Sequence, residues 1–187
     1  VPLPGIPLSL QPGVEFFLFR RFSLLNEISL QTNKNKDLDS TALNKKYFKY
    51  KIELRYYLLP RKKVTTPYFA AQYSTASRKF DVDKKDEYYD TSQDDSVYTY
   101  SKAKINSPVQ TVTLQFGLAI KASRHFYFDA SIGFGIRLIN TTYSSVENLQ
   151  KIRNVRFINI KPIQSYRYQG YVTRLQLNSG FRISYRF

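Results

Sequence analysis

The chain has no cysteine, no tryptophan and a single histidine, His125. Without thiols there are neither disulfides nor thiolate metal sites. One imidazole removes most histidine-based catalysis and metal ligation. No window approaches the ~18 consecutive apolar residues that a membrane-crossing helix needs, so that mode of insertion is excluded. No leader pattern is visible, and because the sequence opens at Val1 without Met this carries no information.

What the chain does have is aromatic side chains, 16 Tyr and 14 Phe in 187 residues, and a regular alternation in which they take part. In the last segment, Tyr171, Thr173, Leu175, Leu177, Ser179, Phe181, Ile183, Tyr185 and Phe187 fall on one face. Val172, Arg174, Gln176, Asn178, Gly180, Arg182, Ser184 and Arg186 fall on the other. Side chains of a strand alternate between faces, so Tyr171 to Phe187 reads as a strand with one apolar and one basic, polar side. About 9 to 11 residues suffice for a strand to cross a bilayer.

The same period occurs in Leu8 to Leu18, Phe22 to Leu30, Tyr47 to Leu59, Tyr68 to Phe80, Val109 to Lys121 and Phe126 to Asn140. Within Phe22 to Leu30, Leu25 and Asn26 break the pattern. Connections alternate in length: Phe19 to Arg21, Pro60 to Pro67 and Ala122 to His125 are short, whereas Thr32 to Lys46, Asp81 to Pro108 and Thr141 to Gly170 are long and polar. Short turns at one end and long loops at the other mark bacterial outer-membrane barrels, with the short turns periplasmic and the long loops extracellular. The expectation is one domain over 1–187, an all-β, transmembrane, antiparallel up-and-down β-barrel.

Seven legible strands conflict with the even count of such barrels. With the C-terminus periplasmic, the strand at Leu8 runs downward and an upward strand should precede it. The expected barrel therefore has eight strands, the first lying partly or wholly upstream of Val1, with Pro2 to Pro7 as an extracellular connection. The alternative is an additional strand at Ile152 to Ile160, read here as an ordered part of a long loop.

Charge decides which face meets lipid. An Arg on the lipid face costs roughly 2–4 kcal/mol at mid-membrane. Turning the strands inside out would expose Lys51, Glu53, Arg55, Arg137, Arg174, Arg182 and Arg186. Glu15, Glu27, Glu53 and Asp129 share the polar parity of their strands and are placed to neutralise inward Arg55, Arg137, Arg174 and Arg182, since buried charge is tolerated only when paired. These eight residues form the expected interior charge network. Aromatic clusters at the short turns (Phe16, Phe17, Phe19 and Phe22; Tyr56, Tyr57, Tyr68 and Phe69; Phe126, Tyr127 and Phe128; Tyr185 and Phe187) fit a periplasmic girdle. Tyr47, Phe48, Tyr50, Tyr143, Tyr166, Tyr168 and Tyr171 would mark the opposite rim.

The stretch Leu10-Gln11-Pro12-Gly13-Val14-Glu15-Phe16-Phe17-Leu18, the Gly133-Phe134-Gly135 triplet and the terminal Gly180 to Phe187 resemble the small outer-membrane β-barrel proteins of Bacteroidota, OmpA/OmpX-like in architecture. That resemblance implies a C-terminal signal for the barrel-insertion machinery carried by Phe181, Ile183, Tyr185 and Phe187. It implies architecture and biogenesis, not catalytic residues.

The formal charge of +15 invites a nucleic-acid reading, but seven of the fourteen acids lie between Asp81 and Asp95 and the basic residues form no single stripe. Phosphorylated headgroups of outer-membrane lipids and lipopolysaccharide are an equally good sink, and no nucleic-acid partner is expected. His125 reads as a turn residue, and with no second histidine an enzyme is not expected. The acidic stretch lacks the glycine-centred spacing of a calcium loop and reads as a solvated loop bridged by divalent ions to lipopolysaccharide, or as a tyrosine-bearing protein contact. Arg61-Lys62-Lys63 and Arg20-Arg21 read as anchors on anionic headgroups, with docking of a periplasmic protein as the sharper alternative. No cofactor and no metal are expected.

Three functions remain open. The first is a non-enzymatic structural or accessory barrel with a side-chain-filled interior, free-standing or in a larger envelope complex with other outer-membrane or periplasmic proteins. The second is a narrow channel or small-solute transporter, the third a soluble lipocalin-like carrier. Carriers of that type hold their apolar face inward, so the direction in which each strand turns its apolar side separates them.

Overall fold

A computed structural model of the chain describes residues 12–30, 42–59, 64–91, 97–152 and 168–185. These residues form an all-β sheet with no helix among them, antiparallel except where Asp90 and Thr91 pair in parallel with Tyr168 and Gln169. Its strands are β1 (Gly13–Phe17), β2 (Phe22–Leu30), β3 (Ala42–Tyr57), β4 (Thr65–Thr91), β5 (Val97–Asn106), β6 (Val109–Lys121), β7 (Phe126–Glu147), β8 (Gln150–Ile152) and β9 (Tyr168–Tyr185).

Two pairs of these strands are halves of longer lines. The lower part of β4 pairs with β6 (Thr65↔Ile120 to Ala76↔Val109), and its upper part pairs with β5 (Lys79↔Asn106 to Asp90↔Val97). Between β5 and β6 stand only Ser107 and Pro108; Pro108 has no N–H for the ladder. Similarly β8 continues β7 alongside β5 beyond Asn148, which takes a left-handed φ of 55°. The chain is thus a meander of seven lines, β1–β2–β3–β4–(β5β6)–(β7β8)–β9. The tight reversals are closed by Leu18 N–H to Phe22 C=O (3.1 Å) and Ala122 N–H to Phe126 C=O (2.9 Å).

Strands are present at every expected place, the first seen as Gly13–Phe17, but β3, β4, β7 and β9 run further than their apolar period. Residues expected to be loop at 81–108 are largely a hairpin, the end of β4 and all of β5. Of the expected loop at 141–170, β7 occupies residues through Glu147 and β9 begins at Tyr168. The β4–β5 hairpin has a buried apolar face, where Val82, Tyr100, Ala103 and Ile105 cluster with Phe80, Tyr98, Tyr143 and Val146 packed against them, but its parity changes between Tyr100 and Ala103, so no single alternation announces it. Residues 1–11, 31–41, 92–96 and 153–167, which include Pro2 to Pro7, Tyr166 and most of Ile152 to Ile160, lie outside the described residues.

Register sets one continuous row across the outer face: Phe16, Leu24, Leu54, Ala71, Leu114, Phe134 and Leu177. Phe134 is 66% exposed and Leu177 83%. The neighbouring inner row runs Glu15, Leu25, Glu53, Gln72, Thr113, Gly135 and Gln176, and Glu53 is 0% exposed. Leu25 and Asn26 do not interrupt β2; Leu25 is a buried apolar residue on the inner face, and Asn26 on the outer face accepts a 2.6 Å hydrogen bond from Tyr50.

The sheet curls until its ends meet through side chains. Arg182 on β9 reaches Glu27 on β2 at 2.7 Å and Glu53 on β3 at 3.4 Å. The hydrogen-bonded row from Glu53 arrives at Gln176, yet the side chain that returns to Glu53 is Arg182, further along β9. Strands tilted to the axis of the curl produce this stagger. Gly133 and Gly135 sharpen the bend, because a Cβ at either would collide with the backbone of β6 at Leu114 or Val112.

Candidate functional site

The inner face is a polar interior instead of an apolar core. Its lower half is an ionic network drawn from five lines of the sheet. Arg55 of β3, 2% exposed, donates from Nε to Glu53 at 2.7 Å and from Nη1 to Asp129 of β7 at 2.8 Å, with Glu15 of β1 at 3.6 Å. Arg182 holds Glu27 and Glu53 and stands 3.6 Å from Asp129. Lys51 forms a further ion pair with Glu27. Four carboxylates face three cations, and fork-shaped guanidinium groups link acids that would otherwise repel one another.

Neutral groups complete the set. Glu15 accepts from Ser23 Oγ at 2.6 Å and from Tyr57 at 2.7 Å, and Asp129 accepts from Tyr68 at 2.5 Å. The Arg55 guanidinium lies 4.7 Å from the centre of the Tyr68 ring, a cation–π contact. Tyr68 lies flat over Gly117, its direct neighbour in β6, where any side chain would strike the ring. Gln115 donates to Gln72 at 2.6 Å and fills the level above.

Of the expected interior residues, Glu15, Glu27, Glu53, Arg55, Asp129 and Arg182 meet. Arg137 and Arg174 do not join them. They occupy the inner face higher up, paired directly across β7 and β9, and among the described residues Arg137 makes no ion pair with an acid. The expectation that acids neutralise Arg137 fails for a geometric reason: the acids cluster near the short turns, whereas Arg137 lies eight residues up β7 from Asp129.

Two aromatics are also reassigned. Tyr57 and Tyr68 are fully buried on the inner face and take no part in an outer girdle. Their parity announced this: Tyr57 shares the face of Glu53 and Arg55, and Tyr68 stands opposite Phe69. Of the upper group, Tyr47 packs against a buried inner cluster of Ala76, Val109, Ile139 and Val172, and Tyr143 packs edge-on against buried Tyr100. Tyr171 and Phe48 do point outward. Lys51, Tyr57, Tyr68 and Gln115 were absent from the expected network, although each has inward parity.

The outer face carries the girdle that remains. Phe16, Phe19, Phe22, Phe69, Phe126 and Phe128 are exposed near the short turns, with Phe22 stacked at a tilt on Tyr56 (5.0 Å). Phe181 and Ile183 also face outward; the Tyr185 side chain and Phe187 lie outside the described residues. His125 sits in the Ala122 to His125 turn, its backbone N–H directed at Ser123 Oγ. Much of the acidic stretch lies outside the described side chains, and its resolved Asp83 is 3.9 Å from Lys102.

Comparison with protein-family models, with characterised proteins and with solved structures finds no match to this chain.

Proposed function

We propose that the chain is a non-enzymatic, integral outer-membrane β-barrel with a side-chain-filled interior, serving as a structural or accessory subunit of the envelope. One observation carries this reading: the acids and guanidinium groups near the short turns are buried and paired inside, while a band of large apolar residues lines the outside. A soluble protein seldom exposes a contiguous apolar patch above a few hundred Å². Here the outer face of β7 is apolar from Phe126 to Leu138, about 40 Å of strand at ~3.3 Å per residue. Tilted by about 40°, that run covers about 30 Å, enough for the ~25 Å apolar band of an outer-membrane barrel. Lipocalin-like carriers have the reverse polarity.

The meander supports an eighth strand. Its seven antiparallel lines leave β1 and β9 running the same way, and among the described residues these two do not pair. One strand running the opposite way would be antiparallel to both and would close the seam. Open edges are not tolerated in hydrocarbon, where each unpaired backbone group costs several kcal/mol. In this reading the C-terminus and short turns are periplasmic and the hairpin of β4 and β5 is extracellular. Arg20 and Arg21 meet anionic headgroups, and outer-membrane lipid and lipopolysaccharide surround the wall.

The test is partition and permeability together. Protein expressed behind an outer-membrane export leader should fractionate with the outer membrane, migrate as a heat-modifiable band and give no porin-sized conductance in planar bilayers. Refolding to a stable monomer without detergent would refute the membrane reading. Large unitary currents would refute the filled interior and favour a channel.

A further inference from the structure

The row of large apolar side chains across the outer face has one gap. Where β4 carries Ala71, its neighbours across the ladder are Leu54 of β3 and Leu114 of β6. Those two strands stand two spacings apart, about 9–10 Å, with a single methyl group between their leucines. One level nearer the short turns, Phe22, Tyr56, Phe69 and Phe116 form an unbroken aromatic row. Their rings pair as Phe22 with Tyr56 (5.0 Å) and Phe69 with Phe116 (5.4 Å). The result is a groove of about 300 Å³ on the outer wall, floored at Ala71 and bordered by Phe22, Leu54, Tyr56, Phe69 and Leu114, almost wholly apolar.

One end of the groove carries charge. Tyr56 accepts a hydrogen bond from Arg21 Nη1 at 3.2 Å, and Arg21 directly precedes Phe22. A guanidinium has five N–H donors, and this bond takes one of them. Arg20 adds a second exposed cation in the same turn. Groove and cation are thus joined through two lining residues, in the order of a charged headgroup and its hydrocarbon chain. From the level of Tyr56 to that of Leu54 is about 7 Å of strand. That distance is well inside the ~15 Å of hydrocarbon in one leaflet.

We propose that this groove binds one phospholipid of the leaflet at the short turns, with an acyl chain laid over Ala71 and the phosphate on Arg21. An apolar hollow facing hydrocarbon is filled by the chain that lies against it, since an empty one forfeits the dispersion contacts of its walls. Association within a bilayer rests on such packing, because lipid tails are as apolar as the side chains they meet. Packing alone would select nothing, and the cation supplies the selection: a guanidinium fork takes two phosphate oxygens at once. Tyr56 serves both parts, with its ring along the groove and its hydroxyl on Arg21, the interfacial placement that amphipathic rings favour. The site presupposes the proposed membrane-spanning barrel and, beyond general headgroup anchoring, assigns one lipid to one place on its wall.

The test is native mass spectrometry of the full chain, folded in vesicles of phosphatidylethanolamine and phosphatidylglycerol and then released from detergent micelles. One phospholipid retained per chain is expected. Ala71→Leu, which fills the hollow from an exposed position, should abolish retention, and Ala71→Val is the second filler should that variant misfold. Arg21→Gln should weaken retention at least about 10-fold, as loss of a charge-assisted hydrogen bond does. Diacylglycerol with the same chains, lacking the phosphate, should be retained less well by the same factor. Two controls should retain lipid as the parent does: Ala130→Leu, an outward alanine elsewhere on the wall, and Arg124→Gln, an exposed cation of another short turn. No retained lipid, retention unchanged by filling the groove or by Arg21→Gln, an equal loss in either control, or equal retention of diacylglycerol would overturn the site. Any of these in a chain that fractionates with the outer membrane refutes the lipid site alone, whereas a detergent-free monomer refutes the membrane reading with it.

Discussion

Replacing Arg55 by Gln is the most informative single perturbation of the interior. Arg55 stands among Glu53 at 2.7 Å, Asp129 at 2.8 Å and Glu15 at 3.6 Å, and both it and Glu53 are essentially sealed from solvent. Its removal leaves those three carboxylates facing one another. Among the described residues Arg182 is then the only cation ion-paired with Glu53 and Asp129, and it is already shared with Glu27. Breaking a buried ion pair by removing one partner costs about 3–5 kcal/mol, because the remaining charge is uncompensated. Arg55→Gln should therefore lose about 3–5 kcal/mol in urea unfolding of protein folded in micelles or vesicles. Far-UV circular dichroism or the heat-modifiable band serves as the probe, since the chain has no Trp. Substituting Glu53→Gln in the same chain removes part of the excess negative charge. The double variant should lose clearly less than the sum of the two single losses, a coupling expected of groups in one network. A loss below about 0.5 kcal/mol, the size of an ordinary surface substitution, would show that water reaches the network and that the interior is not filled.

Three further outcomes are expected. Phe134→Arg, at the middle of the outer face, should cost about 2–4 kcal/mol for folding into vesicles while Phe126→Arg, beside a short turn, costs about 0–1 kcal/mol; equal effects at both depths would contradict the membrane reading. Gly117→Ala should cost about 1–3 kcal/mol, as overpacking does, by pushing Tyr68 off Asp129. In a Tyr68→Ala background that loss should shrink, and persistence of the full loss in chemical unfolding would place the strain elsewhere. Tyr57→Phe should cost about 1.5–3 kcal/mol by removing a hydrogen bond to the Glu15 carboxylate, and a neutral result would mean that water replaces the hydroxyl.

The alternation in β6 made its geometry readable in advance: Thr111, Thr113, Gln115 and Gly117 are inward, and Val112, Leu114, Phe116 and Leu118 outward. Polarity of the two faces was equally legible, because inverting any one strand would have put several charges into hydrocarbon. Proximity to a turn suggests a girdle for Tyr57 and Tyr68, but their parity puts them inside, and parity is the stronger constraint. The upper reaches of β4, β5 and β7 were illegible for a different reason. Their buried apolar face, Val82, Tyr100, Ala103 and Ile105, changes parity between Tyr100 and Ala103, and the charges interspersed along it resemble those of a loop. Nor does a one-dimensional pattern contain the stagger that brings Arg182 to Glu27 across 155 residues of chain. That stagger depends on the tilt of every strand between them, and the same tilt separates Arg137 from the acids that parity alone would have assigned to it.

The uninterrupted run of β4 past Arg78, with β5 bonded along it, has a mechanical consequence. The segment that would project from the bilayer is not a tether but a stiff mast, a continuation of the wall whose foot is moored through Ser107 to Arg78 and Thr141. A binding partner approaching from outside would meet a shape already settled, and the ordering entropy that a floppy loop would lose on contact has already been lost in folding.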